Sequence, residues 1–347
     1  MKTELLKVDE KCDEILKRAA ELIKGGSLVG FPTETVYGLG TNAFDADACL
    51  NIFKAKGRPA DNPLIVHISR PEDAEKISYT NELYYKLAKR FMPGALTVIM
   101  PKRDIIPGSV TAGLDTVAVR CPINKIAHKL IELSGVPIAA PSANRSGKPS
   151  PTSAKHVFDD MDGIIPMILD GGDCEVGVES TVIKIDESSI ILLRPGAITF
   201  EMLKEVCDNV SISSAVTEEL KEGEKPLSPG MKYKHYAPKA ELYLIDDNYV
   251  DFVSFVNERS KTENCAVMCY DEEAERITSD KLLPVGEKND VKKQTKRLFM
   301  LLRKADDMKV MTIYAHLPEK GGESLAMYNR MIRACAHRVI GGTNGKI

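Results

Sequence analysis

The chain has 347 residues, 43% of them apolar and 28% charged, and a formal net charge of −3. That is enough length for two domains with their own cores, and the charge balance excludes a strongly basic nucleic-acid binder. No apolar run reaches membrane-spanning length and no charged-then-apolar leader opens the chain, so no membrane partner is expected and the expected compartment is the cytoplasm.

Residues 8–24 carry Ile15, Leu16, Ala19, Leu22 and Ile23 at helical spacing, with Gly25-Gly26 as the stop. SLVGF then reads as a strand that enters a polar stretch, Phe31–His67. Asp45 caps a helix through about Lys54, and Lys54, Lys56 and Arg58 lead through Asn62-Pro63 into the buried strand 64–68. Residues 71–91 read as one or two helices ended by Pro93-Gly94. Strands follow at 96–101 and 116–122, then a helix at 124–134. VPIAAPSAN is a strand that runs into a polar loop, and Pro151-Thr152 opens the next helix. PMILDGG, STVIKID and IILLRPG are strands, and a helix near 199–207 closes the domain.

Residues 210–226 are polar and read as linker. After Ala240 three strands alternate with three helices, the last helix spanning SLAMYNRMIRACAHRVI. The predicted class is α/β: a large twisted mixed sheet with flanking helices, then a smaller Rossmann-like α/β domain. The predicted boundaries are 1–209, a linker at 210–239, and 240–347. No G-x-G-x-x-G follows the first strand of the second domain, so no dinucleotide site is expected there.

Eight cysteines, at 12, 49, 121, 174, 207, 265, 269 and 335, form no C-x-x-C pair. They read as free, mostly buried thiols in a reducing compartment, and no metal site is predicted. In CAVMCY, period two puts Cys265 and Cys269 on one strand face.

Lys54, Lys56 and Arg58 allow two readings: cations that complement a helix end, or a phosphate-binding wall. The loop 141–152, with Ser142, Asn144, Ser146, Ser150 and Thr152, is either a capping turn or a binder of phosphate and ribose. Arg120 lies on a strand among apolar residues, on one face with Thr116 and Ala118. Glu179-Ser180-Thr181 and Arg194-Pro195-Gly196 also place polar groups at strand ends. His67, taken alone, is a hydrogen-bonded core residue. No nucleophile motif or Walker loop is present, so the groups suit positioning and charge neutralisation.

The blocks FPTETVYGLG, KAKGRPADNPLIVHI, FMPGALTVI, TAGLDTVAVRCP, GVPIAAPSANRSGKPSPTSA, GGDCEVGVESTVI and LLRPGAIT occur in this order. The chain thereby resembles the YrdC-like threonylcarbamoyl-AMP synthases, and LSPGMKYKHYAP with the second domain resembles their longer, two-domain form. The resemblance implies a nucleotidyltransferase that converts L-threonine, bicarbonate and ATP, with Mg²⁺, into threonylcarbamoyl-AMP and pyrophosphate. It also implies a downstream transferase that modifies an adenosine beside the anticodon of tRNA, and it allows a weak tRNA contact.

Carried over by position, Thr35, His67, Arg120 and Ser180 would surround threonine, with Arg120 on its carboxylate. Arg58, Asn62, Thr116, Ala140, Ser142, Asn144, Ser150 and Arg194 would hold ATP, Lys56 would lie near its phosphates, and Lys56 and Arg58 would act in catalysis. Tyr233 would reach back from the interdomain segment over the nucleotide. Gly57 would be free to vary. Two other readings are an RNA-binding module without catalysis and a carbamoyl transfer like that of hydrogenase maturation. The second is disfavoured by the lack of C-x-x-C pairs.

Overall fold

The computed structural model describes residues 2–217 and 236–341. They form two compact units: 2–146 with 150–217, and Gly147–Pro149 with 236–341.

The first unit begins with β1 (Glu4–Lys7), α1 (Asp13–Lys24), β2 (Val29–Phe31), β3 (Gly38–Asn42), α2 (Ala46–Lys56) and β4 (Ile65–His67). After a 3-10 segment come α3 (Glu82–Phe91), β5 (Leu96–Pro101), α4 (Gly108–Thr111), β6 (Thr116–Arg120), α5 (Lys125–Ser134) and β7 (Ile138–Ala140). Then follow α6 (Ala154–Met161), β8 (Met167–Asp170), β9 (Thr181–Ile185), β10 (Ile190–Arg194), α7 (Phe200–Lys204) and β11 (Val210–Ile212). Among the described residues these strands make one sheet in the order β1-β8-β2-β3-β7-β4-β6-β5-β9-β10-β11. It is mixed: β4 and β6 run parallel, while β7 and β5 flank them antiparallel.

Helix α1 buries Leu16, Ala19, Ala20 and Ile23, a stripe at helical spacing. It packs with α5 on Val29, Phe31, Ile138, Met167 and Leu169 of the sheet. Burying each large apolar side chain contributes about 1.5–3 kcal/mol.

Besides β3, which forms within the stretch read only as polar, three strands depart from the sequence reading. β1 pairs in parallel with β8, and β11, assigned to the linker, pairs in parallel with β10. Both are short and largely exposed. An edge strand lacks the two-sided burial that makes a strand legible as an apolar run. The third lies in the second unit, where the helix expected through Ile340 stops at Ala334. Ala336 and His337 take φ of 49° and 60°, and Val339–Ile340 then forms a strand.

The second unit holds β12 (Glu241–Ile245), α8 (Phe252–Arg259), β13 (Cys265–Met268), α9 (Val291–Asp307), β14 (Thr312–His316), α10 (Leu325–Ala334) and β15 (Val339–Ile340). Its sheet is parallel, in the order β13-β14-β12-β15. Cys265, Val267 and Cys269 share one core cluster, as the two-residue period predicts. All eight cysteines are free thiols, six of them buried. Burial pushes Cys49, Cys121 and Cys269 up to about 12, away from thiolate chemistry. Among the described residues no helix is long and apolar enough to cross a membrane.

Candidate active site

Strand register assembles the site. His67 on β4 lies opposite Arg120 on β6, and Arg120 lies opposite Thr97 on β5. Thr97 shares a hydrogen bond of 2.8 Å with the hydroxyl of Ser180, the residue just before β9. Arg194, at the end of β10, donates through Nε to the Ser180 carbonyl at 3.0 Å and through Nη2 to its hydroxyl at 3.2 Å. His67, Arg120, Thr97, Ser180 and Arg194 therefore form one polar row across five strands. Two residues further along the strands, Ile65, Ile99 and Ala118 form an apolar cluster with Val182 and Leu193. Side chains two apart on a strand share a face, so polar row and apolar floor lie on the same side of the sheet.

Arg120 is tied to Glu34 by an ion pair of 2.6 Å, with both side chains about 5% exposed. Glu34 sits in the turn between β2 and β3, beside Thr35. That turn is laced down by Val176 N–H to Glu34 O and by Gly177 N–H to Thr35 O. The Thr35 hydroxyl shares a 2.9 Å hydrogen bond with Thr33. Neither Glu34 Oε2 nor Arg120 Nε has a hydrogen-bond partner among the described residues.

His67 is both core residue and site residue. Its Nδ1 lies 3.1 Å from the Ile65 carbonyl, and its ring meets Phe31 edge-on at 6.1 Å. Burial, and then the Arg120 cation beside it, lower its pKa to about 3, so the imidazole is neutral. Gly40 permits this packing: a Cβ there would lie 2.6 Å from the Phe31 ring and from Ile138.

The other end of β4 gathers the second group. Ala140 on β7 pairs with Ile65, and Thr116 opens β6. Lys56, the last residue of α2, is 3% exposed. Its ammonium donates to the Ser142 carbonyl at 2.5 Å and the Asn144 carbonyl at 2.6 Å. The Ser142 hydroxyl donates to Asn144 Oδ1 at 2.5 Å. Arg58 donates to the Asn62 carbonyl at 2.7 Å and lies over Phe53. The Asn62 side chain is fully buried, and neither of its polar atoms has a hydrogen-bond partner among the described residues.

Alternation of Lys54, Lys56 and Arg58 does not put them on one wall. α2 continues through Lys56, and residues two apart on a helix do not face one way. Lys54 is exposed and bonds Asn51, while Lys56 and Arg58 turn inward. Lys56 braces the Ser142–Asn144 loop. Gly57 is not free to vary either. It caps α2 with φ 64°, a left-handed conformation that costs other residues about 1–2 kcal/mol.

Ser150, grouped with the nucleotide residues by resemblance, donates its hydroxyl to Glu179, next to Ser180. Arg194, grouped likewise, stands on Ser180 itself. These contacts join the two expected residue groups through Glu179-Ser180. Tyr233 lies outside the described residues, as does most of the expected linker. Sequence reasoning missed Glu34 and Thr97 and gave Glu179 no role. Thr97 could be found from alternation along LTVIMP, which gives it the face of Ile99.

Two family models match the chain: "Telomere recombination", the Sua5/YciO/YrdC model, over residues 21–196, and "Threonylcarbamoyl-AMP synthase, C-terminal domain" over 198–336. The threonylcarbamoyl-AMP synthase of Pyrococcus abyssi is 44% identical, with 97% of this chain and 99% of that protein covered. That of Bacillus subtilis is 43% identical over 94% of this chain and 95% of that protein. The crystal structure of P. abyssi Sua5 complexed with L-threonine superimposes with a TM-score of 0.87 at 42% identity, covering 98% of this chain and 99% of that one.

Proposed function

The chain belongs to the Sua5/YrdC family of threonylcarbamoyl-AMP synthases, and from that premise we infer that it joins L-threonine, bicarbonate and ATP into threonylcarbamoyl-AMP, releasing pyrophosphate. The observation that carries this reading is a pair of buried, unsatisfied polar groups at opposite ends of β4 and β6: Arg120 Nε at one end and the Asn62 amide at the other. Native folds rarely leave such groups without partners unless a ligand or water uses them.

Arg120 is the residue for the threonine carboxylate. A guanidinium receives a carboxylate through two parallel N–H bonds, and Glu34 occupies only one side of it. Ser180, held by Thr97 and Arg194, and the Thr35 hydroxyl complete the amino-acid end. Neutral His67 adds a hydrogen-bonding ring without adding charge. Asn62, Ser142, Asn144, Thr116 and Arg58 serve the nucleotide, and Lys56 keeps Ser142 and Asn144 in place for it. Ala140 offers backbone beside Ile65.

The carboxylated threonine nitrogen supplies the attacking oxygen, and the α-phosphate is the centre attacked. Both partners are anionic, so the chain's task is to fix them in line and offset their repulsion. No enzyme nucleophile is needed. Among the described residues no group of three or more His, Cys, Asp and Glu side chains is placed to hold a metal. Mg²⁺ takes phosphate oxygens and keeps several waters, which suits an ion delivered on ATP. Bound there, it supplies charge neutralisation to the phosphates. The product then serves a separate transferase that modifies tRNA next to the anticodon.

The test is omission. With ATP, threonine and bicarbonate present, the full chain gives an adenylate of the expected mass together with pyrophosphate. Pyrophosphate release that persists without threonine or without bicarbonate contradicts the proposed reaction.

A further inference from the structure

The second unit contains a cavity of about 650 Å³ that the reaction above does not use. It lies outside the carboxyl ends of the parallel strands: Asp246, Asp247 and Asn248 follow β12, Tyr270 follows β13, and Leu317–Lys320 follow β14. The size is within the 300–1,000 Å³ usual for small-molecule sites.

Topology singles out the same place. From β12 the chain crosses past β14 to β13, and from β14 it crosses the other way, past β12, to β15. β12 and β14 are neighbours, so their onward connections leave the crevice between them in opposite directions. Open α/β sheets bind ligands at such a switch point.

The floor is pre-organised. His316, 7% exposed, lies flat between Phe252 and Tyr270 at centroid distances of 3.6 and 4.3 Å. Its Nδ1 is 2.8 Å from Asp247 and its Nε2 is 2.8 Å from Glu273. Those contacts commit Asp247. Asp246, by contrast, accepts from Asn248 through Oδ1 alone. Lys288 also lines the cavity, its ammonium 5.8 Å from the centre of the Tyr270 ring that follows β13. Lys320 stands on the loop after β14. Met268, Met327 and Met331 supply soft apolar surface, which adapts to a flat ring. The crevice thus offers an uncommitted acceptor in Asp246, two cations in Lys288 and Lys320, with Glu319 beside the latter, and apolar methionine surface.

We propose that this crevice binds a ribonucleoside monophosphate, with its ribose hydroxyls on Asp246, its phosphate toward Lys288 and Lys320, and its base on the methionines. A dinucleotide is disfavoured, because the loop after β12 is Asp246-Asp247-Asn248. That loop has no glycine, and its charge repels a pyrophosphate.

The chain contains no tryptophan. Leu317→Trp therefore places a lone indole on the half-buried wall of this cavity, in the full-length chain. Titration with AMP should change its fluorescence saturably. 2′-Deoxy-AMP should bind about tenfold more weakly, the loss of one good hydrogen bond. Adding Lys320→Glu, an exposed position, should weaken AMP at least tenfold while threonine-dependent pyrophosphate release stays unchanged. This separates the cavity from the catalytic unit: loss of pyrophosphate release would indict the reaction, loss of the indole signal the crevice. No saturable change up to millimolar AMP, equal binding by the Lys320→Glu form, or tighter binding of adenosine than of AMP would each overturn the assignment.

Discussion

Both units place a buried histidine at the carboxyl end of a strand, and the two rings are set in opposite ways. His67, in the mixed sheet, stands beside the Arg120 cation and is held neutral, with a pKa lowered to about 3 by burial and by that cation. His316, in the parallel sheet, is clasped by two carboxylates. Burial alone would lower it, but the hydrogen bonds to Asp247 and Glu273 outweigh that and raise its pKa. At His67 burial and the neighbouring cation act in one direction, whereas at His316 two carboxylates together outweigh burial. In the first unit the ring stays neutral beside Arg120 in the proposed site. In the second it fastens two loops around a cavity.

The contrast is broken most severely at Arg120. Arg120→Ala removes the proposed carboxylate receptor and leaves Glu34 buried without its partner, at a cost of about 3–5 kcal/mol. Adding Glu34→Gln should recover a large part of the melting temperature and none of the pyrophosphate release. Recovery of activity as well would show that Arg120 serves the fold only.

Lys56→Ala comes next. As a brace, it should lower stability by about 1.5–3 kcal/mol and slow turnover together, because charged hydrogen bonds to two carbonyls are lost. A slow but fully stable variant would return Lys56 to the phosphates.

The histidines then sharpen the comparison through pH. The unfolded chain binds a proton at position 67 below about 6.5 while the folded chain does so only near 3, so stability falls as pH drops through that window. His67→Asn should flatten that fall. His316 behaves in reverse: its contribution is complete below about 6.5 and is lost as pH rises past its raised folded value. The deficit of His316→Gln should therefore shrink with rising pH. Each slope is bounded at about 1.4 kcal/mol per pH unit, and denaturant titrations at pH 5, 6.5 and 8 would read it. Parallel slopes for the two variants would refute the contrast.

The smallest effect is expected at Gly57. Gly57→Ala should cost about 1 kcal/mol, the low end of the left-handed penalty, seen as a lower denaturation midpoint with threonine affinity retained. No loss of stability would show that the cap tolerates a side chain.

Much of this was legible in the chain. Period two placed Arg120 with Thr116 on one face of β6, and the polar strand ends of the proposed site were visible as such. What could not be read is pairing at a distance. Glu34 and Arg120 are 86 positions apart, and neither carries a local mark of the other. Lys56 was ambiguous because its alternation with Lys54 and Arg58 spans the end of α2, where a period of two does not mean one face. His67 could not be decided from periodicity, since a core ring and a ligand-facing ring share the same pattern. β1 and β11 were hidden because exposed edge strands carry weak apolar signals.

In the proposed reaction two polar ends of one sheet face join an amino acid to a nucleotide. Its most direct test is pyrophosphate release by the full chain and by Arg58→Ala and Asn144→Ala, each checked by melting temperature. Release is expected from the unaltered chain only with ATP, threonine and bicarbonate together, and none from either folded variant. Undiminished release in both variants would contradict the proposed site.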